Sequence, residues 1–281
     1  MTAWAERTPT VKGLVLIGSR ERPAGDAVWG ADAQSDWDFQ IITTEPEMFA
    51  KGDWTRELGG VELKVYATRT ARIGGVPKVN AIFSDAEADF VIVPARRFTL
   101  AKWAVALGRH RREGKIRSGL QDLAVVIRPG WRFLKGGREW EAFYRRVVAE
   151  VDDARMSDEA AAGLADIFLC EALWVRRKIK RGELNAAQRM LHRELAETNF
   201  RLLHELKLRR GERSFPEARR IERIASPSEL EAVTVNAALE AEALRSALDR
   251  SEATMRKLLS ELTRVPQFKK PLRSMADTYA I

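Results

Sequence analysis

GLVLIGSRERPAGDAVWGADAQSDWDFQIITT, residues 13–44, joins two apolar runs through a long polar segment. GLVLIGS (13–19) is short, apolar and ended by Gly18-Ser19, the pattern of a buried strand. DWDFQIITT (36–44) is rich in β-branched and aromatic residues and predicts a second strand. The intervening Arg20–Ser35, with its proline, glycines and scattered acids, predicts a long loop with a partial helix. Asp36 and Asp38 stand two apart on the second strand, so both carboxylates leave the same face, roughly 7 Å apart at the Cα atoms. Trp37 and Phe39 are expected to point the other way, into the core. Two acids so placed repel one another unless a divalent cation lies between them, the alternative being an idle pair solvated at a strand edge.

Working outward, VELKVYA (61–67) alternates apolar and polar residues with the period of a half-buried strand. VNAIF (79–83) and ADFVIVP (88–94) flank Ser84-Asp85-Ala86-Glu87, a turn-forming quartet, and Pro94 closes the second of them. Asp89 is an acid among Phe90, Val91, Ile92 and Val93, and an acid in a core strand needs a partner that a cation would supply. At the end of the first strand, Gly18 lets backbone N–H groups approach an anion, Ser19 adds a hydroxyl, and Arg20 stands beside them as a phosphate partner. The order Gly-Ser-Arg, D-x-D, Asp89 therefore describes a phosphate cradle facing a three-carboxylate magnesium site. That is the layout for two-metal displacement at phosphorus.

After Pro94 the period changes. Residues 97–111 predict a helix, DLAVVI (122–127) and WRFL (131–134) a hairpin across Arg128-Pro129-Gly130, and Gly136-Gly137 a boundary. Beyond Arg138 nearly everything is helical in period. One helix spans 157–181 with Ser157 as N-cap and Gly182 beyond its end, and another spans 185–210 before Gly211. Ser226-Pro227-Ser228-Glu229 opens a further helix, whose apolar stripe runs on through Leu230, Val233, Ala237, Leu244 and Leu248, and a last helix covers 251–263 before Pro266. The expected fold class is α/β (α+β), a mixed-sheet domain over residues 1–136 followed by an all-helical domain over 137–281.

Composition agrees. Of 281 residues 45% are hydrophobic, with eight Trp and eleven Phe, which excludes a disordered chain. A single cysteine excludes a disulfide framework or thiolate metal cluster, and Cys170, inside IFLCEALW, is expected to be buried and inert. The three histidines show no metal spacing. No secretory signal and no run of about 18 apolar residues is visible, so a cytoplasmic protein without membrane contact is expected. The net charge of +8 is segregated, −4 over residues 1–95 and +12 over the remainder. A positive half marks either solvated helix faces or an anionic partner.

Gly18-Ser19-Arg20, then Ser35-Asp36-Trp37-Asp38, then Asp89 resembles the DNA polymerase β-like nucleotidyltransferase superfamily, and specifically its aminoglycoside 6-adenylyltransferases (streptomycin adenylyltransferases). The long segment between turn and carboxylate strand, the hairpin into Asp89-Phe90, and Trp174 followed by Arg181-Gly182-Glu183-Leu184 are similar too, over roughly residues 10–210. The resemblance implies a nucleotidyltransferase sheet domain with a helical substrate domain, and magnesium-dependent transfer of AMP from ATP to a hydroxyl with release of pyrophosphate. Asp36, Asp38 and Asp89 would hold two magnesium ions, Asp89 also lowering the acceptor's pKa or taking its proton. Gly18, Ser19 and Arg20 would hold the triphosphate, and Glu171, Trp174 and Glu183 would recognise a small hydroxylated, amine-bearing acceptor. The positive second half leaves RNA or a protein hydroxyl as the alternative acceptor, or a non-catalytic nucleotide-binding module. Monomer and homodimer are both compatible.

Overall fold

The computed structural model describes residues 1–22, 28, 30–58, 62–112 and 114–264. Val61, expected to open the third strand, much of the 20–35 segment and Pro266 lie outside the described residues. The chain divides into two compact units, Met1–Ala154 and Arg155–Ile281.

In the first unit a short helix α1 (Thr2–Arg7) leads into strand β1 (Val11–Ile17), and β2 (Trp37–Thr43) follows the long segment. After α2 (Pro46–Phe49) come β3 (Leu63–Thr70), β4 (Pro77–Phe83) and β5 (Glu87–Pro94), then α3 (Ala95–Ala106), α4 (Lys115–Ile127), β6 (Trp131–Lys135) and α5 (Gly137–Glu150). The six strands form one mixed sheet in the order β3-β4-β5-β2-β1-β6. β2 and β5 pair in parallel at its centre, and the other neighbours are antiparallel.

Both faces of the central strands are buried, which is why their sequences are nearly continuous apolar runs. Leu14, Leu16, Phe39, Ile41, Phe90 and Ile92 pack on one side against Trp4, Phe49 and Trp54. Val15, Ile17, Ile42, Val91 and Val93 face the other way, onto Phe98 of α3, Leu120, Leu123 and Ile127 of α4, and Trp140, Phe143, Tyr144 and Val147 of α5.

Two expectations are corrected here. DLAVVI is not a strand but the second half of α4, because Leu120, Leu123, Ala124 and Ile127 recur at helical spacing and are all buried. The β-branched Val125 and Val126 obscure that period in the sequence. The unit boundary falls after Ala154 rather than at Gly136-Gly137, since α5 buries its aromatic face in the core of the sheet. Gly136 is a turn instead. Its φ is +76°, and a Cβ there would lie 2.2 Å from the carbonyl oxygen of Lys12.

The second unit is helical: α6 (Asp158–Lys180), α7 (Leu184–Met190), a π-helical stretch over Leu191–Ala196, α8 (Glu197–Arg209), α9 (Pro227–Val233) and α10 (Ala241–Arg264). Ser157 caps α6 by accepting the N–H of Ala160 at 3.1 Å. A reciprocal capping box opens α9, Ser226 Oγ accepting from Glu229 N–H and Glu229 Oε2 from Ser226 N–H. The helix predicted from Ser226 stops at Val233, where Thr234 turns extended, and α10 starts at Ala241, ten residues earlier than residue 251. The apolar residues at 235 and 237 reach the core from an irregular connection, so the stripe persists although the helix does not. Cys170 is exposed, because the inward stripe of α6 runs through Phe168, Ala172, Val175 and Ile179 and leaves position 170 outside it. Among the described residues no helix is long and apolar enough to cross a membrane.

Candidate metal centre and flanking residues

Asp36, Asp38 and Gln40 follow one another along the helix-covered face of β2 and its lead-in, and their burial grades from core to surface. Gln40 is fully buried and its side-chain oxygen accepts the hydroxyl of Tyr144, whose pKa burial pushes up. Asp38 and Asp36 beyond it are half-buried. In the parallel pairing of β2 with β5, Asp38 is registered with Asp89. The register puts two acids that are 51 positions apart in the chain on adjacent strands, with side chains on one face. Each of Asp36, Asp38 and Asp89 contributes a carboxylate oxygen to a set lying within 4.8 Å of one another.

Gly18 makes room for this cluster. It follows β1 directly, opens a 3-10 turn (Gly18–Glu21) and has φ +81°, the left-handed region. A Cβ at this position would lie 2.2 Å from Asp38 Oδ2. Hard carboxylate oxygens converging on one point, with backbone cut away to a glycine beside them, suit a magnesium-like divalent cation. Gly18→Ala is accordingly expected to displace the Asp38 carboxylate. Mn2+ affinity should fall by roughly tenfold or more, with about 1–2 kcal/mol of stability lost to the left-handed backbone, read by Mn2+ titration and urea denaturation. Unchanged Mn2+ affinity would show that the carboxylate tolerates the added methyl.

Arg20, expected beside the phosphates, makes three contacts within the chain. Its Nε donates to the carbonyl of Asp36 at 3.1 Å, its Nη2 to the carbonyl of Ser35 at 2.5 Å, and its guanidinium lies 4.1 Å from the centre of the Trp37 ring. It clamps the backbone that carries the acid pair. Trp37 is on the side of β2 opposite the acids, as expected, and stacks on Phe39. It is nevertheless 37% exposed, because the core beneath that face ends at Phe39. Ser19 sits half-buried in the 3-10 turn.

Asp89 is not left for a cation alone. Lys78 Nζ is 2.5 Å from its Oδ2, and Asn80, its cross-strand partner on β4, donates to its Oδ1. Sequence reasoning missed both. The signal was the period of β4, where Lys78 and Asn80 share a face and interrupt an otherwise apolar strand.

In the second unit Glu171 and Trp174 lie on the outward side of α6, with Trp174 53% exposed and Ile167 and Leu173 also open to solvent. Burial, together with the carboxylate of Glu194 from the π-helical stretch, pushes Glu171 above the usual carboxylate range. Glu194 was not singled out in the sequence, because its approach to Glu171 depends on the packing of two helical segments. Glu183 stands apart at the far end of α6, paired with Lys178 and 3.9 Å from Arg181, and the Lys178 ammonium holds its carboxyl below the ordinary range.

No protein-family model and no curated protein matches this sequence. Among solved structures the chain is similar to an aminoglycoside 6-adenyltransferase from Bacillus subtilis, at 12% identity and a TM-score of 0.43, over 95% of this chain and 89% of that one. It is also similar to a nucleotidyltransferase-like protein from Exiguobacterium sibiricum 255-15, at 13% identity and 0.37, over 96% and 78%. At these scores the likeness adds nothing to what the site itself shows.

Proposed function

We propose that the chain is a magnesium-dependent nucleotidyltransferase that moves AMP from ATP to a hydroxyl of a small amine-bearing acceptor of the aminoglycoside kind, releasing pyrophosphate. The observation that carries this is the convergence of Asp36, Asp38 and Asp89 from two parallel strands beside the Gly18 turn. Asp36, Asp38 and Asp89 would hold the magnesium, which when bound offsets phosphate charge and acidifies the acceptor hydroxyl. The N–H groups of the turn and the Ser19 hydroxyl bind the phosphates, and Arg20 keeps Asp36 in position. The acceptor oxygen attacks the α-phosphorus, the bond to the β-phosphate breaks, and Asp89 takes the hydroxyl proton.

Glu171, partly desolvated and close enough to Glu194 to feel its charge although Glu194 also lies 3.3 Å from Arg193, supports an amine-bearing acceptor, with an exposed indole on the same helix. An ammonium or guanidinium ligand relieves the repulsion between the two carboxylates and stacks on Trp174. Glu183, neutralised by Lys178, is left out of this reading. Transfer to RNA or a protein hydroxyl is the second reading, favoured by the +12 balance beyond residue 95.

The test is pyrophosphate release from ATP and Mg2+ across acceptors that include streptomycin, other aminoglycosides and RNA. No release with any acceptor rejects transferase activity. Binding to RNA that weakens steeply with salt, with none to aminoglycosides, selects the second reading. With an aminoglycoside acceptor, Trp174→Ala is expected to raise the acceptor's KM by roughly tenfold and to leave the KM for ATP unchanged. An unchanged acceptor KM removes this surface from the reaction.

A further inference from the structure

Three carboxylates alone carry a charge of −3, which invites more than one divalent ion. The structure answers part of that charge from within. Lys78, on the same face of β4 as Asn80, brings its ammonium to 2.5 Å from Asp89 Oδ2 while Asn80 donates to Oδ1, so both oxygens of the third acid already have protein donors. The pair is sheltered, the Asp89 side chain being 14% exposed and that of Lys78 28%, and a charge–charge contact in such a place is far stronger than one at an open surface. Arg20, also near the cluster, is turned to the carbonyls of Ser35 and Asp36 and to the Trp37 ring.

We infer that Lys78 is the resident counter-cation of Asp89, a positioning residue that takes up one end of the acidic cluster, so that a divalent ion binding the protein without nucleotide competes with its ammonium for Asp89. This rests on reading the three acids as the metal site. It also changes what that reading asks of Asp89. The acid is held by β4 before any ion arrives, and Lys78 would have to release Asp89 Oδ2 for that oxygen to serve as a ligand.

The experiment is Mn2+ binding to the full chain without nucleotide, followed by the loss of the free-ion electron paramagnetic resonance signal. Lys78→Met should bind Mn2+ roughly tenfold more tightly than wild type, because the competing charge is gone. Lys78→Arg, which keeps the charge, should match wild type, a rescue that loss of packing alone would not produce. Lys78→Gln keeps a donor to Asp89 and serves as the neutral variant if Lys78→Met fails to fold by circular dichroism. A neutral variant that folds and binds Mn2+ with wild-type affinity overturns the inference. Failure of the underlying site shows separately, as Mn2+ binding that Asp38→Asn does not weaken.

Discussion

Asp38→Asn is expected to lower AMP transfer by roughly a thousandfold, about 4 kcal/mol of transition-state stabilisation, while leaving the fold at least as stable as before. The first half follows from position. Asp38 is the middle member of the cluster, registered with Asp89 across the parallel pair and two residues from Asp36, and Gly18 leaves space at its carboxylate. The second half follows from electrostatics. Lys78 answers the charge of Asp89, but the neighbouring carboxylates of Asp36 and Asp38 still repel one another without a divalent ion, so removing one charge from an isosteric side chain relieves strain.

Divalent ions should reverse that order. Wild type gains stability as Mg2+ binds the native state, whereas the variant gains little. Urea denaturation with and without Mg2+, beside the pyrophosphate assay, reads both halves. A variant that retains full transfer removes Asp38 from the reaction, and one that loses transfer by unfolding removes the functional interpretation of that loss.

Glu205→Ala should cost about 3–5 kcal/mol of stability in the helical unit, the largest effect expected outside the site. Glu205 and Arg209 each have side chains only 3% exposed, one turn apart on α8 with Arg209 Nε 2.7 Å from Glu205 Oε1. Glu205 also accepts from the guanidinium of Arg155 and from the N–H of Met156, so it ties the start of the unit to its centre. Arg209 reaches the carbonyl of Met156 and the carboxylate of Asp158 as well.

Removing the acid leaves a buried guanidinium short of its nearest counter-charge. Changing Glu205 and Arg209 to Met together should cost less than the sum of the single changes, because no uncompensated charge is then left between them. Additive costs in that cycle would mean that the two side chains act independently.

The strands were legible because each central one is buried on both faces. GLVLIGS, DWDFQIITT and ADFVIVP are apolar runs that only a covered sheet explains, and β1, β2 and β5 overlap them. The N-caps at Ser157 and Ser226 were legible for a different reason, since capping is a bond between residues three apart in sequence. The α4 segment was not, because three β-branched residues at its end imitate a strand, and packing against the sheet overrides that local preference. The exposure of Cys170 was likewise settled by which stripe of α6 meets the core.

At the metal centre the division is sharper. Sequence alone determined that Asp36 and Asp38 share a face, since the period of a strand is two, and that Asp89 is an acid where the chain otherwise buries hydrocarbon. Only the tertiary structure decided that β2 and β5 run parallel in the register that sets Asp38 beside Asp89, and that Lys78 and Asn80 of the neighbouring strand take hold of Asp89. Strand pairing joins residues far apart in the chain, and their register comes from the packing of both faces of the sheet. No local pattern in the sequence encodes that register.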